Sequence, residues 1–259
     1  MDLSGGPASP VDDSREALTD DSVLLGLFSN LGPPTTLAAA LADVIAAMRS
    51  GALRGGDPNQ LRVNIDLNVS IAENEKAGNH PAMRNMSAAE VAAVMLYTMP
   101  FMPDTASLYH MLNRCLRTNE RQAIMCFRRY IWILMHALRR APRCTEHTVF
   151  RGIVGDYTKD YKSRQTITWQ SFSSCTTRMS TLDSAQFFGL SGPRVLFNIA
   201  LTTNRARYIS ALSFYPKEYE VLLPPNTRFI VESVIGPSGD GRLDVQLKEI
   251  PPIDEILAF

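Results

Sequence analysis

Three short runs in the C-terminal half of this 259-residue chain gather the residue types that do chemistry. Phe150-Arg151-Gly152 closes a stretch of β-branched and aromatic residues, Trp169 to Thr176 carries a Phe-Ser-Ser-Cys-Thr run, and Glu218-Tyr219-Glu220 leads into an apolar segment. Taken singly, each polar residue reads as a solvated surface residue, because scattered polar side chains sit on surfaces. Their order, arginine then hydroxyls then paired carboxylates, is a signature. Two apart on an extended strand, Glu218 and Glu220 face the same side and therefore one cleft. Carboxylates held that close push one pKa upward, which suits acid–base work.

Such runs need a scaffold. Short β-branched and aromatic stretches separated by Gly, Pro and Asn predict strands over 147–152, 167–173, 195–202, 218–223, 228–236 and 242–250. Residues 181–188 predict a short helix with Thr181 as its cap. Upstream the signals are helical. A helix over 35–48 opens after Pro33-Pro34 and ends before Gly51. Ser87 caps the next one, with Glu90 three residues on as reciprocal partner, and that helix runs to about 97. Helices over 105–117 and 120–141 repeat apolar residues every three or four positions, and Pro142 stops the second. Residues 61–67 read as a strand or an extended connector. The expected organisation is a disordered tail over 1–20, a helical or irregular extension over 21–85, and a catalytic domain over 86–259. Its class is α+β, N-terminal helices packed on a mixed sheet.

Composition excludes several roles. With 26 basic and 26 acidic residues the formal net charge is zero, so no overall field favours nucleic acid or an anionic membrane. Cys115, Cys126, Cys144 and Cys175 have no framework spacing and read as reduced thiols. Cys144 and His147 have the spacing of half a metal site, but no second pair follows, so no metal is expected. There is no glycine-rich phosphate loop. The opening residues lack a basic start and apolar run, and the apolar stretch at 130–138 is too short to span a bilayer, so a cytoplasmic protein is expected.

In this order the three runs resemble the arginine-specific ADP-ribosyltransferases, the family that includes the clostridial binary actin-modifying toxins and the vertebrate ecto-enzymes. The resemblance covers about residues 86–236 and is strongest over 208–231. Ser174, Cys175 and Thr176 stand where the family has Ser-Thr-Ser, so a cysteine replaces the middle threonine. The resemblance implies the ADP-ribosyltransferase fold, NAD as co-substrate, no metal, and a protein arginine as acceptor. It implies that Glu220 stabilises the sugar cation, that Arg151 holds the pyrophosphate or ribose, and that Ser174 orients Glu220 or the ribose. Gly152 would admit the nicotinamide amide, and Phe187 or Phe188 would stack on its ring or simply fill the core. Glu218 would engage the acceptor guanidinium, flanked by Tyr215. Tyr109 and Asn113, four apart on one helix face, would touch the adenine-side ribose or phosphates, or serve as helix packing. NAD hydrolysis by the same residues is the alternative. A silent NAD- or ADP-ribose-binding module is another, motivated by Cys175, which is also expected to make activity sensitive to oxidation.

Overall fold

In a computed structural model of the chain, the structure describes residues 24, 26–32, 34, 36–182, 188 and 191–253. The expected tail over 1–20 and most of the expected helix over 181–188 lie outside the described residues; Met179–Thr181 forms a 3₁₀ turn at its start.

Among the described residues five α-helices come first: α1 (Leu37–Arg49), α2 (Pro58–Ala77), α3 (Ala88–Thr98), α4 (Leu108–Thr118) and α5 (Arg121–Arg140). Their ends follow local chemistry. The Thr36 side chain accepts from the Ala39 amide, and Ser87 and Glu90 form the reciprocal capping box at α3. Helix α2 corrects the strand or connector expected over 61–67. Leu61, Val63, Ile65 and Leu67 alternate, yet Asp57 caps and Pro58 opens a helix in which Leu61, Asn64, Ile65, Asn68 and Ala72 are buried at helical spacing. Val63 and Leu67, half of the misleading alternation, are 60% and 45% exposed. Apolar residues of all five helices form one buried cluster, so α1 and α2 share a core with α3–α5.

Eight strands follow among the described residues: β1 (Thr148–Val154), β2 (Thr166–Trp169), β3 (Ser173–Thr176), β4 (Arg194–Ala200), β5 (Arg207–Tyr208), β6 (Glu220–Leu223), β7 (Thr227–Ile235) and β8 (Arg242–Ile250). They form one mixed sheet in the order β2-β7-β8-β4-β1-β3-β6-β5, with β4 and β8 parallel and every other pair antiparallel. The fold is α+β, as expected. Flat, the four steps from β2 to β1 would span about 19 Å. The Arg151 guanidinium on β1 nevertheless lies 5.8 Å from the centre of the Trp169 ring on β2, so the sheet curls around a second apolar core.

The strand expected over 167–173 is two strands. The chain leaves β2, which pairs with β7, and crosses to β3, which pairs with β1 and β6. Gln170 and Ser171 are fully buried in the crossover, and the Phe172 amide donates to Asn113 Oδ1 on α4 at 3.1 Å. A helix side chain thus supplies the partner that no ladder supplies there.

Candidate active site

Glu220 is the first residue of β6, opposite Thr176 of β3, with Ser174 opposite Leu222. Side chains alternate along β3, so Ser174 and Thr176 face one way and Cys175 the other. Ser174 Oγ donates to Glu220 Oε1 at 2.7 Å, and from the loop before β6 Ser213 Oγ donates to Oε2 at 3.2 Å. Each carboxylate oxygen thus has a hydroxyl on it and keeps a lone pair for a ligand. Burial raises the Glu220 pKa, while the two hydroxyls and the Arg151 charge pull it back. Arg151 Nη1 donates to the Ser174 carbonyl at 2.7 Å, tying β1 to the strand that orients Glu220.

Glu218 reaches the same cleft by a route the alternation argument did not foresee. It closes a 3₁₀ turn (Pro216–Glu218), and Tyr219 follows in the left-handed conformation, φ 51° and ψ 41°. The strand begins at Glu220, not at 218 as expected; Pro216 and the left-handed residue break the extended run. Both carboxylates still line the cleft. Burial, then the nearby Glu220, pushes Glu218 up to about 7.

The cleft holds about 250 Å³, and its walls combine Tyr97, Tyr109, His110, Asn113 and Arg117 from the helices with Phe150, Arg151, Gly152 and Ser174 from the sheet, Phe172 from the crossover and Tyr215 from the loop. Asn113 is a hub: besides accepting from Phe172 it donates Nδ2 to the Tyr97 hydroxyl at 3.0 Å. Both ends of its amide are engaged within the protein, so it holds the crossover beneath the site. Tyr109 packs edge-on against Tyr97, ring centres 6.2 Å apart. The Phe214 amide donates to Thr98 Oγ1 at 3.2 Å, anchoring the loop that carries Ser213, Tyr215 and Glu218 to the end of α3.

Phe187 lies outside the described residues. Phe188 is buried with the Arg194 guanidinium over its ring, and a Cβ on Gly152 would stand 2.6 Å from its Cδ2. The missing side chain at 152 therefore makes room for this ring. Gly152→Ala is expected to lower stability by about 1–3 kcal/mol through overpacking, read as a lower melting temperature.

The cysteine in the hydroxyl strand has a plain place. Cys175 is 4% exposed, its sulfur lies in the sheet core, and burial pushes its thiol up to about 12. Replacing threonine at this position costs Glu220 no hydrogen bond. The oxidation sensitivity expected from Cys175 is not supported, because a buried thiol stays protonated. Peroxide at concentrations that oxidise exposed thiols is expected to leave Cys175 unmodified by mass spectrometry and activity unchanged through this residue. The described residues contain no group of three or more His, Cys, Asp and Glu able to hold a metal ion, and no helix among them is long and apolar enough to cross a membrane.

Ser213, Tyr97, Phe172 and Arg117 also stand at the site, without a role that the sequence motifs assign. No spacing rule marks Ser213, because the turns Ser210–Leu212 and Pro216–Glu218 fold it back onto Glu220. Arg117 carried a signal: it stands one helical turn beyond Asn113 on the face that meets the cleft.

Residues 60–252 match the family model described as NAD:arginine ADP-ribosyltransferase. A Mycobacterium avium (strain 104) protein, Mav, whose name assigns it as an NAD(+)–arginine ADP-ribosyltransferase, is 28% identical over 173 residues, 66% of this chain and 19% of that protein. The chain thus spans about a fifth of the length of this curated relative. Among solved structures, the type III effector XopAI of Xanthomonas axonopodis pv. citri superposes with a TM-score of 0.62 at 18% identity, covering 88% of this chain and 94% of its own. The ADP-ribosyltransferase HopU1 of Pseudomonas syringae pv. Tomato DC3000 does so at 0.57 and 22% identity, over 71% and 86%. The eukaryotic mono-ADP-ribosyltransferase ART2.2 gives 0.54 and 19%, over 78% and 83%. These likenesses establish a shared fold.

Proposed function

Since the chain belongs to the NAD:arginine ADP-ribosyltransferase family, whose co-substrate is NAD, we propose that this cleft cleaves the nicotinamide–ribose bond of NAD and passes ADP-ribose to an arginine of a protein. The observation that carries the reading is the pair of unlike carboxylates in one cleft: Glu220 buried under two hydroxyls, and Glu218 held half-buried with its pKa near 7.

The roles follow from the chemistry. As the bond to nicotinamide breaks, its electron pair leaves with the ring nitrogen and positive charge develops on the ribose, as in glycoside cleavage. Glu220 opposes that charge at short range in a site largely shielded from water, and its remaining lone pairs accept from the ribose hydroxyl. Ser174 and Ser213 fix the carboxylate so that it need not reorganise. Arg151 from the sheet and Arg117 from α4 both line the cleft, and their guanidinium groups hold the pyrophosphate through paired hydrogen bonds. Tyr109, half-buried and backed by the buried rings of Tyr97 and Phe172, offers an apolar surface to a flat ring of the dinucleotide.

The acceptor guanidinium then meets Glu218. Its nitrogen forms the new bond to the ribose carbon, and the proton it gives up passes to the Glu218 carboxylate. Tyr215 flanks this approach. Water in place of the guanidinium gives free ADP-ribose, and the high pKa of Glu218 favours that outcome at acid pH, where the protonated carboxyl no longer draws a cation. NAD labelled in its adenine half and incubated with a protein mixture tests the proposal. Label located on arginine side chains by mass spectrometry is expected; free ADP-ribose accumulating with no labelled arginine would favour hydrolysis.

A further inference from the structure

Tyr219 sits between the two carboxylates in the left-handed region, where an L-residue with a bulky side chain is strained. Three contacts from the end of β3 and the two residues after it hold it there. Thr176 Oγ1 donates to the Glu218 carbonyl at 2.9 Å, and the Thr177 amide donates to the Tyr219 carbonyl at 3.4 Å. Arg178 lays its guanidinium carbon 3.4 Å from the centre of the Tyr219 ring, and its own amide donates back to Thr176 Oγ1 at 3.1 Å. One strand therefore reaches both acids: Ser174 touches the Glu220 carboxylate, and two to four residues on, the same chain grips the turn that carries Glu218. Arg178 and Tyr219 are both exposed, so the stack lies on the solvent side of the turn, which the hydrogen bonds from Thr176 and Thr177 hold as well.

We propose that Arg178 is a positioning residue: stacked on Tyr219, it holds the left-handed turn that aims Glu218, and so sets how much ADP-ribose goes to an arginine rather than to water. The inference rests on the arginine-transfer reading above for its consequence, and on the turn geometry alone for its cause. A guanidinium lying flat on a ring gains both cation–π attraction and planar contact, which lysine reproduces only in part. A glycine at 219 would adopt the left-handed conformation without strain and without a ring to grip.

Wild type, Arg178→Ala, Arg178→Lys, Tyr219→Gly and Arg178→Ala/Tyr219→Gly test it with two readouts. The first is the ratio of agmatine adduct to free ADP-ribose formed from NAD; the second is the titration of the Glu218 carboxyl, followed by carbon NMR with no acceptor or turnover needed. Arg178→Ala is expected to lower the ratio about threefold to fivefold and to move the Glu218 titration toward the ordinary carboxylate range as the turn opens. Arg178→Lys should recover part of both. In the Tyr219→Gly background, Arg178→Ala should change neither further. An unchanged ratio and titration in Arg178→Ala, or a drop of the same size in the Tyr219→Gly background, would overturn the proposal. Wild type forming no adduct, while Arg178→Ala still shifts the titration, would remove the transfer reading and leave the positioning of Glu218 by Arg178 standing.

Discussion

Glu220→Gln is expected to lower nicotinamide release from NAD by about 10²- to 10³-fold, the size of loss seen when one aligned electrostatic group is removed from a charge-developing site. The substitution keeps shape and length but deletes the charge. Ser174 and Ser213 each give a hydroxyl proton to a carboxylate oxygen, and an amide can accept only one of them. Because burial already disfavours the ionised form of Glu220, the neutral variant should melt no lower than wild type. A large rate loss with an unchanged melting temperature separates chemistry from folding. A loss under tenfold, at full NAD saturation, would place the charge stabilisation elsewhere.

The second large effect is at Glu218. Glu218→Gln is expected to reduce the agmatine adduct by about 10²-fold while nicotinamide release falls by less than about tenfold, since an amide can neither pair with a guanidinium as a charge nor take its proton. In wild type the same distinction should appear as a pH profile. With the Glu218 pKa near 7, the carboxyl is protonated below that value and ionised above it, so the adduct fraction should climb as pH rises through about 7. The sign for stability is opposite. A carboxyl whose folded pKa lies above its ordinary 4.5 binds its proton more tightly when folded, so its contribution to stability falls as pH rises between 4.5 and 7. A cation arriving beside Glu218 relieves that cost, which couples acceptor binding to the ionised form. An adduct fraction flat from pH 5.5 to about 8.5 would contradict this role.

Much of this is legible in the sequence itself. The Ser87 and Glu90 capping box, the apolar spacing of α5 and its stop at Pro142 rest on local rules, and local rules survive tertiary context. Arg151, Ser174 and Glu220 were readable because each sits on a strand of one sheet, where residue type and order carry over directly into position. Less legible was whatever depends on where the chain folds back. The run from Trp169 to Thr176 reads as one strand, and only long-range pairing divides it between two places in the sheet. Glu218 and Glu220 do share a cleft, but through a 3₁₀ turn and a left-handed tyrosine rather than strand alternation. Ser213 was invisible for the same reason. Helix α2 misled because its exposed face carries Val63 and Leu67, which complete a false period of two with the buried Leu61 and Ile65. Cys175 looked like a defect in the hydroxyl strand, and its direction, into the sheet core, shows that it is not.

The most direct test is a single reaction of wild-type protein with NAD and agmatine at about pH 8, above the Glu218 transition, with nicotinamide, free ADP-ribose and ADP-ribosyl-agmatine followed together by NMR. Nicotinamide should appear at a rate equal to the sum of the other two, with the agmatine adduct in excess over free ADP-ribose. Nicotinamide with ADP-ribose alone, across agmatine concentrations that saturate the initial rate, would contradict the assignment of Glu218 to an arginine acceptor. No nicotinamide under any condition would contradict the assignment of Glu220 and the cleft itself.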